Sequence, residues 1–493
     1  MSLMVYNTLG REKQEFQPLE EGRVKMYVCG PTVYDYCHLG HGRAYVAFDV
    51  IYRYLKYKGF KVRYARNITD IDDKIIARAG EMPPGNKSLG EKVTELAESF
   101  TREFHKDMDL LRVQKPTDEP GAIEYIPRMI VFIGKLIANK KAYKVEGDIY
   151  YDVAQDKKYG ILSGRTTDEL LVGARVEPDR KKKSPLDFAL WKASKPGEPS
   201  WDSPWGPGRP GWHIECSAMA LDIMGGQFDI HGGGQDLIFP HHENEIAQSY
   251  GITGKIPARY WIHNGFVNIN REKMSKSLGN FFTLRDIFGR YDPMTVRLFL
   301  LSQHYRSPVD FSDQLLEDAG NALERIQDCI FRTEMYLRNK KNTVSDKIIY
   351  FSIRRQFEQV MDDDFNTARA LGIVFDIVRD LNKDLIAGSE GKKIRARLDA
   401  LNGFLTDVLG ITAKSSNEII VHKSQEEALS EAGLDKLLGT PACREQKIAL
   451  IRARNYYRKS KQWALADKVR RYLADKGYLL RDTSSETIAT LKI

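Results

Sequence analysis

Long apolar runs are missing from this 493-residue chain. No stretch approaches the roughly 20 apolar residues that a helix needs to cross a bilayer, so no membrane association is expected. Met1 to Gly10 lacks a basic segment followed by an apolar one. With no secretory signal there, the cytoplasm is the expected compartment. Cysteine is scarce: Cys29, Cys37, Cys216, Cys329 and Cys443 are odd in number and widely dispersed. That pattern argues against a disulfide framework, and Cys37, Cys329 and Cys443 read as small buried residues. Internal repeats and long low-complexity tracts are absent as well. So is a large excess of one charge, because 75 basic residues face 67 acidic ones for a net +8. Such a balance permits a polyanionic partner without demanding one.

What is present is ordinary globular material, 42% hydrophobic and 29% charged, in a chain long enough for several cores. Val24 to Cys29 reads as a strand ended by Gly30-Pro31. From about Gly40, Ala47, Ile51, Tyr54 and Leu55 recur at helical spacing until Gly59. Phe60, Val62 and Tyr64 then alternate with Lys61 and Arg63 as in a half-buried strand. Strand, helix, strand is a βαβ unit and predicts a parallel sheet, with ligands at the junction of strand ends and helix N-termini. Residues 92–145 read mostly helical, and Gln155 to Gly211 as an insertion of loops and short elements. Apolar patterning resumes from Trp212 to Ile262. Long amphipathic helices are expected from Asp313 to about Gly410, and a smaller unit after the polar stretch Ala413 to Asn417.

Two segments suit phosphate chemistry. His38-Leu39-Gly40-His41 falls at the strand–helix junction, where free N–H groups and a partial positive charge favour an anion. His38 and His41 would add hydrogen bonds to a pentacovalent α-phosphate, and Gly40 and Gly42 allow close approach of a base or ribose. Far downstream, Lys273-Met274-Ser275-Lys276-Ser277 carries two lysines suited to stabilising a triphosphate under attack. Taken singly, paired histidines near a turn are also ordinary surface residues, and lysine-serine runs are common on solvated loops. Together they point to an ATP-dependent, adenylate-forming enzyme, and with this pairing the chain resembles the class I aminoacyl-tRNA synthetases. Leu39 stands where the family's usual form has Ile, a conservative change.

A metal constellation is also present. His241 and Glu245, four apart on a helix, share one face. Cys29 and Cys216 would complete a set of two thiolates, one imidazole and one carboxylate, which suits zinc. Ligands from three distant segments have no diagnostic spacing, and a Cys at a strand end is equally a core residue. Longer motifs carry a narrower resemblance: Tyr27-Val28-Cys29-Gly30 with Thr32-Val33-Tyr34-Asp35, Arg66-Asn67-Ile68-Thr69-Asp70-Ile71-Asp72-Asp73-Lys74, Gly211 to Met219, Phe239 to Glu245 and Met361 to Thr367. From near residue 3 to near residue 485 the chain is similar to the cysteinyl-tRNA synthetases.

That resemblance implies one zinc ion on Cys29, Cys216, His241 and Glu245, and an amino-acid pocket lined by Gly30, Thr32, Thr69, Trp212 and His231. It implies ATP, with Mg2+, against Gly40, Gly232, Asp236 and Lys276, and catalysis by His38, His41, Lys273 and Lys276. Zinc would hold a thiol as thiolate and so separate cysteine from serine, near-isosteres that pocket shape alone discriminates poorly. The implied fold is α/β: a Rossmann-type parallel-sheet catalytic domain with an insertion, a helical bundle and a small C-terminal tRNA-binding domain. The expected boundaries are 1–112 and 211–264 for the two catalytic halves and 113–210 for the connective insertion. They continue with 265–312 for the lysine loop and stem-contact region, 313–412 for the bundle and 413–493 for anticodon binding.

In that last region Arg452, Arg454, Arg458, Lys459, Lys461, Lys468, Arg470 and Arg471 interleave with Tyr456, Tyr457 and Trp463. Basic groups track phosphates and exposed aromatics stack on unpaired bases. The stripe Leu465, Val469, Tyr472 and Leu473 equally makes some of these aromatics core. The expected partners are tRNA-Cys, L-cysteine and ATP, the expected state a monomer. The rival readings are a cysteine ligase acting on an amino sugar and a catalytically silent RNA-binding paralogue.

Overall fold

The computed structural model describes residues 2–83, 85–166, 169, 180–269, 272–273, 282–338, 340, 343–412, 418–422, 426–438, 444–482 and 486–491. They fall into two units. The first takes Met1–Leu316, Phe351–Val374 and Asn402–Ile411, the second Glu317–Tyr350, Phe375–Leu401 and Thr412–Ile493.

Four parallel strands organise the first unit, in the order Ala258–Asn264, Phe228–Gly234, Arg23–Val28 and Lys61–Arg66. Met26, Tyr27 and Val28 are all fully buried, as a strand covered on both faces must be. The crossover to Lys61–Arg66 is the helix Leu39–Tyr57, which has no proline and ends where Gly59 turns to φ +94°. From Arg23–Val28 the chain passes to Lys61–Arg66 on one side and, much later, to Phe228–Gly234 on the other. Strand order therefore reverses between Arg23–Val28 and Phe228–Gly234, and a crevice outside the carboxyl ends of strands at such a point is a ligand site.

Buried charge ties this unit together. Arg297 is completely covered and pairs with Asp49 of the crossover helix, while its Nε and Nη1 donate to the carbonyls of Leu409 and Leu111, both at 2.7 Å. Asp49 also receives Arg53 Nε at 2.7 Å. Every partner is satisfied, which a buried ion pair requires.

Phe188–Ala193 and Gly208–Pro210 are the short elements expected between Gln155 and Gly211, whereas Ala142–Val145 is a strand at the end of the stretch expected to be mostly helical. Ala142–Val145, Asp148–Tyr151, Phe188–Ala193 and Gly208–Pro210 form a four-stranded antiparallel sheet. Its first hairpin turns through Glu146 and Gly147, both at positive φ, the twist that suits a two-residue connection. Helix Ala122–Ala138 packs on helices Trp212–Met224 and Glu243–Thr253.

Long helices follow as expected: Asp313–Arg338, Lys347–Met361, Thr367–Ile386 and Gly391–Gly403. In the second unit, strands Glu418–His422, Glu486–Leu491 and Tyr478–Asp482 form an antiparallel sheet. Leu434, Leu450, Ile451, Tyr457, Val469 and Leu473 form a core in the same unit. Cys37 and Cys329 are buried free thiols, while Cys443 and the stretch 413–417 lie outside the described residues. No described helix is long and apolar enough to cross a membrane.

Candidate active site

Cys29 follows directly on strand Arg23–Val28, and its N–H donates to the Gly232 carbonyl of the neighbouring strand at 3.1 Å. The thiol thus sits at the strand-order reversal. Helix Trp212–Met224 brings Cys216, and the helical turn Ile238–His242 leading into helix Glu243–Thr253 brings His241 and Glu245. Cys29 Sγ lies 3.7 Å from Cys216 Sγ, 3.5 Å from His241 Nε2 and 3.4 Å from Glu245 Oε1. His241 Nε2 lies 3.0 Å from Glu245 Oε1. Bonds of about 2.0–2.3 Å to a tetrahedral cation place its ligands about 3.3–3.8 Å apart; the three spacings from Cys29 fall in that range, the His241–Glu245 pair is closer, and all four donor atoms lie within 4.8 Å of one another.

The electrostatics suit a cation among these donors. Burial, then the adjacent Cys216, pushes the Cys29 thiol up, while Cys216 accepts from Cys29 and is brought down to about 6. Burial alone would lower His241, but Glu245 and Cys216 outweigh it and lift the imidazolium to about 10. Burial would likewise raise Glu245, yet His231 and His241 hold it down to about 2. A thiolate, a carboxylate and a proton on His241 that a cation would displace make a pocket ready for a divalent ion.

A second set, Cys29, His231, His242 and Glu245, overlaps the first. It offers one sulfur rather than two, and the softer set is the better zinc site. His242 instead begins a buried line: its Nδ1 is 2.8 Å from His263 Nε2, and His263 Nδ1 is 2.8 Å from Thr8 Oγ1. Burial pushes His242 and His263 down, His263 to about 3, so these rings are neutral. His213 Nδ1 lies 2.9 Å from His241 Nδ1 and orients that ligand from behind. Sequence reasoning missed His213, His263 and Thr8. A histidine at the end of a neighbouring strand was the available signal for His263.

Of the five residues expected to line an amino-acid pocket, Trp212 and His231 touch these donors and Gly30 directly follows Cys29. Thr32 and Thr69 meet in a parallel bridge. A Cβ on Gly30 would stand 1.5 Å from the Asn67 carbonyl oxygen, so only glycine fits. Trp212, 40% exposed, lays its ring against His241 with centroids 4.3 Å apart. His231 stacks on Trp261 at 4.4 Å and reaches Glu245 Oε2 at 3.4 Å. Asn67 and Glu215, also missed from sequence, tie Gly30 and Thr69 in place. Asn67 Oδ1 accepts from the Gly30 N–H at 2.8 Å, and Thr69 Oγ1 donates to Glu215 Oε2 at 3.1 Å. Burial pushes the Glu215 carboxyl up.

His38 is the N-cap of helix Leu39–Tyr57. Its ring accepts from the His41 N–H at 3.3 Å, and the His41 ring accepts from the His38 N–H at 3.2 Å. The two rings stack with centroids 3.8 Å apart. Gly40 occupies the first turn, Gly232 lies two residues before the end of strand Phe228–Gly234 and against Phe48, and Asp236 is exposed in the turn Gln235–Leu237. The backbone of Lys273 pairs with Asn268, whereas its side chain and all of Lys276 lie outside the described residues. Downstream of the lysine segment, Thr283 bridges His38 and the Leu284 N–H donates to the Cys37 carbonyl at 2.8 Å. The chain thus returns to the N-terminus of the histidine-bearing helix.

In the C-terminal unit the basic and aromatic residues divide. Tyr457 is core and donates to the Leu429 carbonyl at 2.9 Å, while Trp463 is 57% exposed. Arg454 and Arg458 bind Asp482, Lys459 binds Glu426, and Lys468 binds Asp435. Lys461, Arg470 and Arg471 are exposed.

Comparison with known proteins places this architecture. Residues 15–321 match the class I (C) tRNA synthetase catalytic domain, and residues 356–414 match the DALR domain. The chain is 48% identical to the cysteine–tRNA ligase of Syntrophotalea carbinolica, over 98% of each. It is 48% identical to that of Geobacter sulfurreducens and 46% identical to that of Thermodesulfovibrio yellowstonii, over 100% of each chain in both cases. Among solved structures, Mycobacterium tuberculosis methionyl-tRNA synthetase bound by methionyl-adenylate shares the fold at TM-score 0.59 and 13% identity. That match covers 87% of this chain and 96% of the other. The chain belongs to the cysteine–tRNA ligase family of class I tRNA synthetases.

Proposed function

We infer that the chain activates L-cysteine with ATP to cysteinyl-adenylate and transfers the cysteinyl group to the 3′ end of tRNA-Cys. The full-length likeness to cysteine–tRNA ligases carries this reading. The cysteine carboxylate attacks the α-phosphorus and pyrophosphate leaves. His38, His41 and the N-terminal N–H groups of helix Leu39–Tyr57 stabilise the growing negative charge from one side, and Lys273 and Lys276 from the other. A terminal ribose hydroxyl of the tRNA then attacks the adenylate carbonyl and AMP departs. No side-chain nucleophile is required, so positioning and electrostatics supply the acceleration. Gly40, Gly232 and Asp236 take the nucleotide with its Mg2+; Gly30, Thr32, Thr69, Trp212 and His231 take the amino acid.

Cys29, Cys216, His241 and Glu245 would hold one zinc ion, a reading supported by the gathering of their four buried donor atoms within 4.8 Å of one another. Bound there, zinc holds the substrate sulfur as thiolate, an interaction that the hydroxyl of serine does not match. Residues 1–112 and 211–264 act as the two halves of the catalytic domain around the insertion 113–210. Residues 265–312 serve the lysine loop and stem contact, 313–412 the bundle and 413–493 the anticodon. The working form is a cytoplasmic monomer.

ATP–pyrophosphate exchange with cysteine and with serine, before and after chelation, followed by charging of tRNA-Cys, tests this reading. Cysteine-dependent exchange that falls on metal removal is expected. Exchange with serine but not cysteine would overturn the specificity, and exchange without charging of any tRNA would favour a non-tRNA acceptor.

A further inference from the structure

We propose that Arg285 is a positioning residue that sets the His38 ring at the N-terminus of helix Leu39–Tyr57 by clasping the backbone that carries it. The proposal rests on the reading of His38 as a stabiliser of the α-phosphate. Tyr36 to Leu39 run antiparallel to Phe282 to Arg285 in a single register. The Leu39 N–H donates to the Phe282 carbonyl at 3.4 Å, His38 bridges Thr283, and the Leu284 N–H donates to the Cys37 carbonyl at 2.8 Å. Arg285 comes next, opposite Tyr36, and its guanidinium lies 4.5 Å over the Tyr36 ring.

Each side of this clasp opens a helix. His38 caps Leu39–Tyr57 and Thr283 caps the short helix Leu284–Phe288, both through reciprocal capping boxes. The two caps are bound back to back, so His38 cannot shift without Thr283. A five-residue helix has little stability of its own, and its place depends on what holds it. Leu284 and Ile287 are buried and seat it in the core, but apolar burial is non-directional. Direction comes from Arg285, which reaches helix Leu89–Leu110. It pairs there with Glu103, and its Nε lies 3.6 Å from Asp107 Oδ1. Tyr36 stands edge-on to Phe100 of the same helix, with centroids 5.3 Å apart. Phe100, Glu103 and Asp107 are three and four apart and share one face. Glu103 also takes Lys106 at 2.8 Å, while Asp107 is buried. Two carboxylates meet the Arg285 charge locally, so this residue acts through the backbone at Tyr36 to Leu39 and not on a phosphate.

The test is a double-mutant cycle on the zinc-loaded full chain: parent, Arg285→Met, His38→Asn and both changes together, read as kcat and KM in ATP–pyrophosphate exchange. Arg285→Met is expected to lower kcat about 10- to 100-fold, the cost of a misplaced group, with KM for cysteine within about twofold of the parent. His38→Asn keeps a helix cap but removes the ring. In that background Arg285→Met should lower kcat less than about threefold further, because the ring it places is gone. Glu103→Gln removes one anchor of Arg285 and is expected to show the same pattern at about three- to fivefold; it takes the place of Arg285→Met in the cycle should that variant not fold. The full effect in both backgrounds would overturn the proposal, because Arg285 would then act elsewhere than through His38. So would a rise in KM for cysteine that matches the fall in kcat, the mark of general loosening, or a kcat unchanged by both Arg285→Met and Glu103→Gln. A parent without cysteine-dependent exchange, or His38→Asn at full rate, would instead overturn the functional reading beneath it.

Discussion

Asp482 accepts from Nη1 and Nη2 of Arg454 at 3.0 and 2.9 Å and also meets Thr487 and Arg458. Arg454, aided by Thr487 and Arg458, holds its carboxyl well below the usual carboxylate range against the opposing effect of burial. A depressed carboxylate contributes stability that is complete above its unfolded value, about 3.9. That contribution is lost as pH falls through the lower native value. Asp482→Asn should therefore lower the Tm of the C-terminal unit at pH 7, by a gap that closes only in strongly acidic buffer and shrinks with salt. Trp463 fluorescence on heating follows it; a gap that widens on acidification would contradict the assignment. The same residues show how far single side chains were legible. Arg454 and Arg458 read as phosphate-tracking cations from spacing alone, because their acidic partner lies 28 and 24 positions away with no periodic relation to them.

At the scale of elements, helix Leu39–Tyr57 joins a structural task to a chemical one. The His38 ring caps the helix and, on the functional reading, faces the α-phosphate. Asn is an equally good cap, and loss of a cap costs about 1 kcal/mol. His38→Asn is accordingly expected to hold Tm nearly constant while cysteine-dependent exchange falls about 10²- to 10³-fold, the size of a lost transition-state donor. Equal losses of stability and rate would mean that His38 is only a cap. The βαβ unit was readable because each piece is long and periodic. The insertion sheet was not, because its strands run 3 to 6 residues and one of them, Gly208–Pro210, ends on a proline. Segments that short are set by cross-strand pairing rather than by local pattern.

For the whole molecule, activation and RNA recognition are expected to separate. The donors, the histidine-bearing helix and the parallel sheet all belong to the first unit. A chain ending at Thr412 should keep cysteine-dependent exchange yet lose charging of tRNA-Cys. One or two stacked bases at about 1–3 kcal/mol each put that loss at roughly 100-fold or more. Parallel loss of exchange would show that the C-terminal residues support the catalytic unit itself. Helical spacing pairs His241 with Glu245 in the sequence, but only a family likeness ties the two cysteines to them, since Cys29 stands 187 positions from Cys216 and 216 from Glu245. That separation also governs the order in which the molecule is put together. A zinc finger offers its thiols within a few residues and can seize an ion before it folds. Here no partly made chain presents more than one of these four donors until residue 216 has emerged, and the loop between Cys29 and Cys216 must close before they meet. An ion held by these residues is thus the last part fitted. Its release on chelation should leave the sheet standing, and its uptake should report that the parallel sheet has already formed.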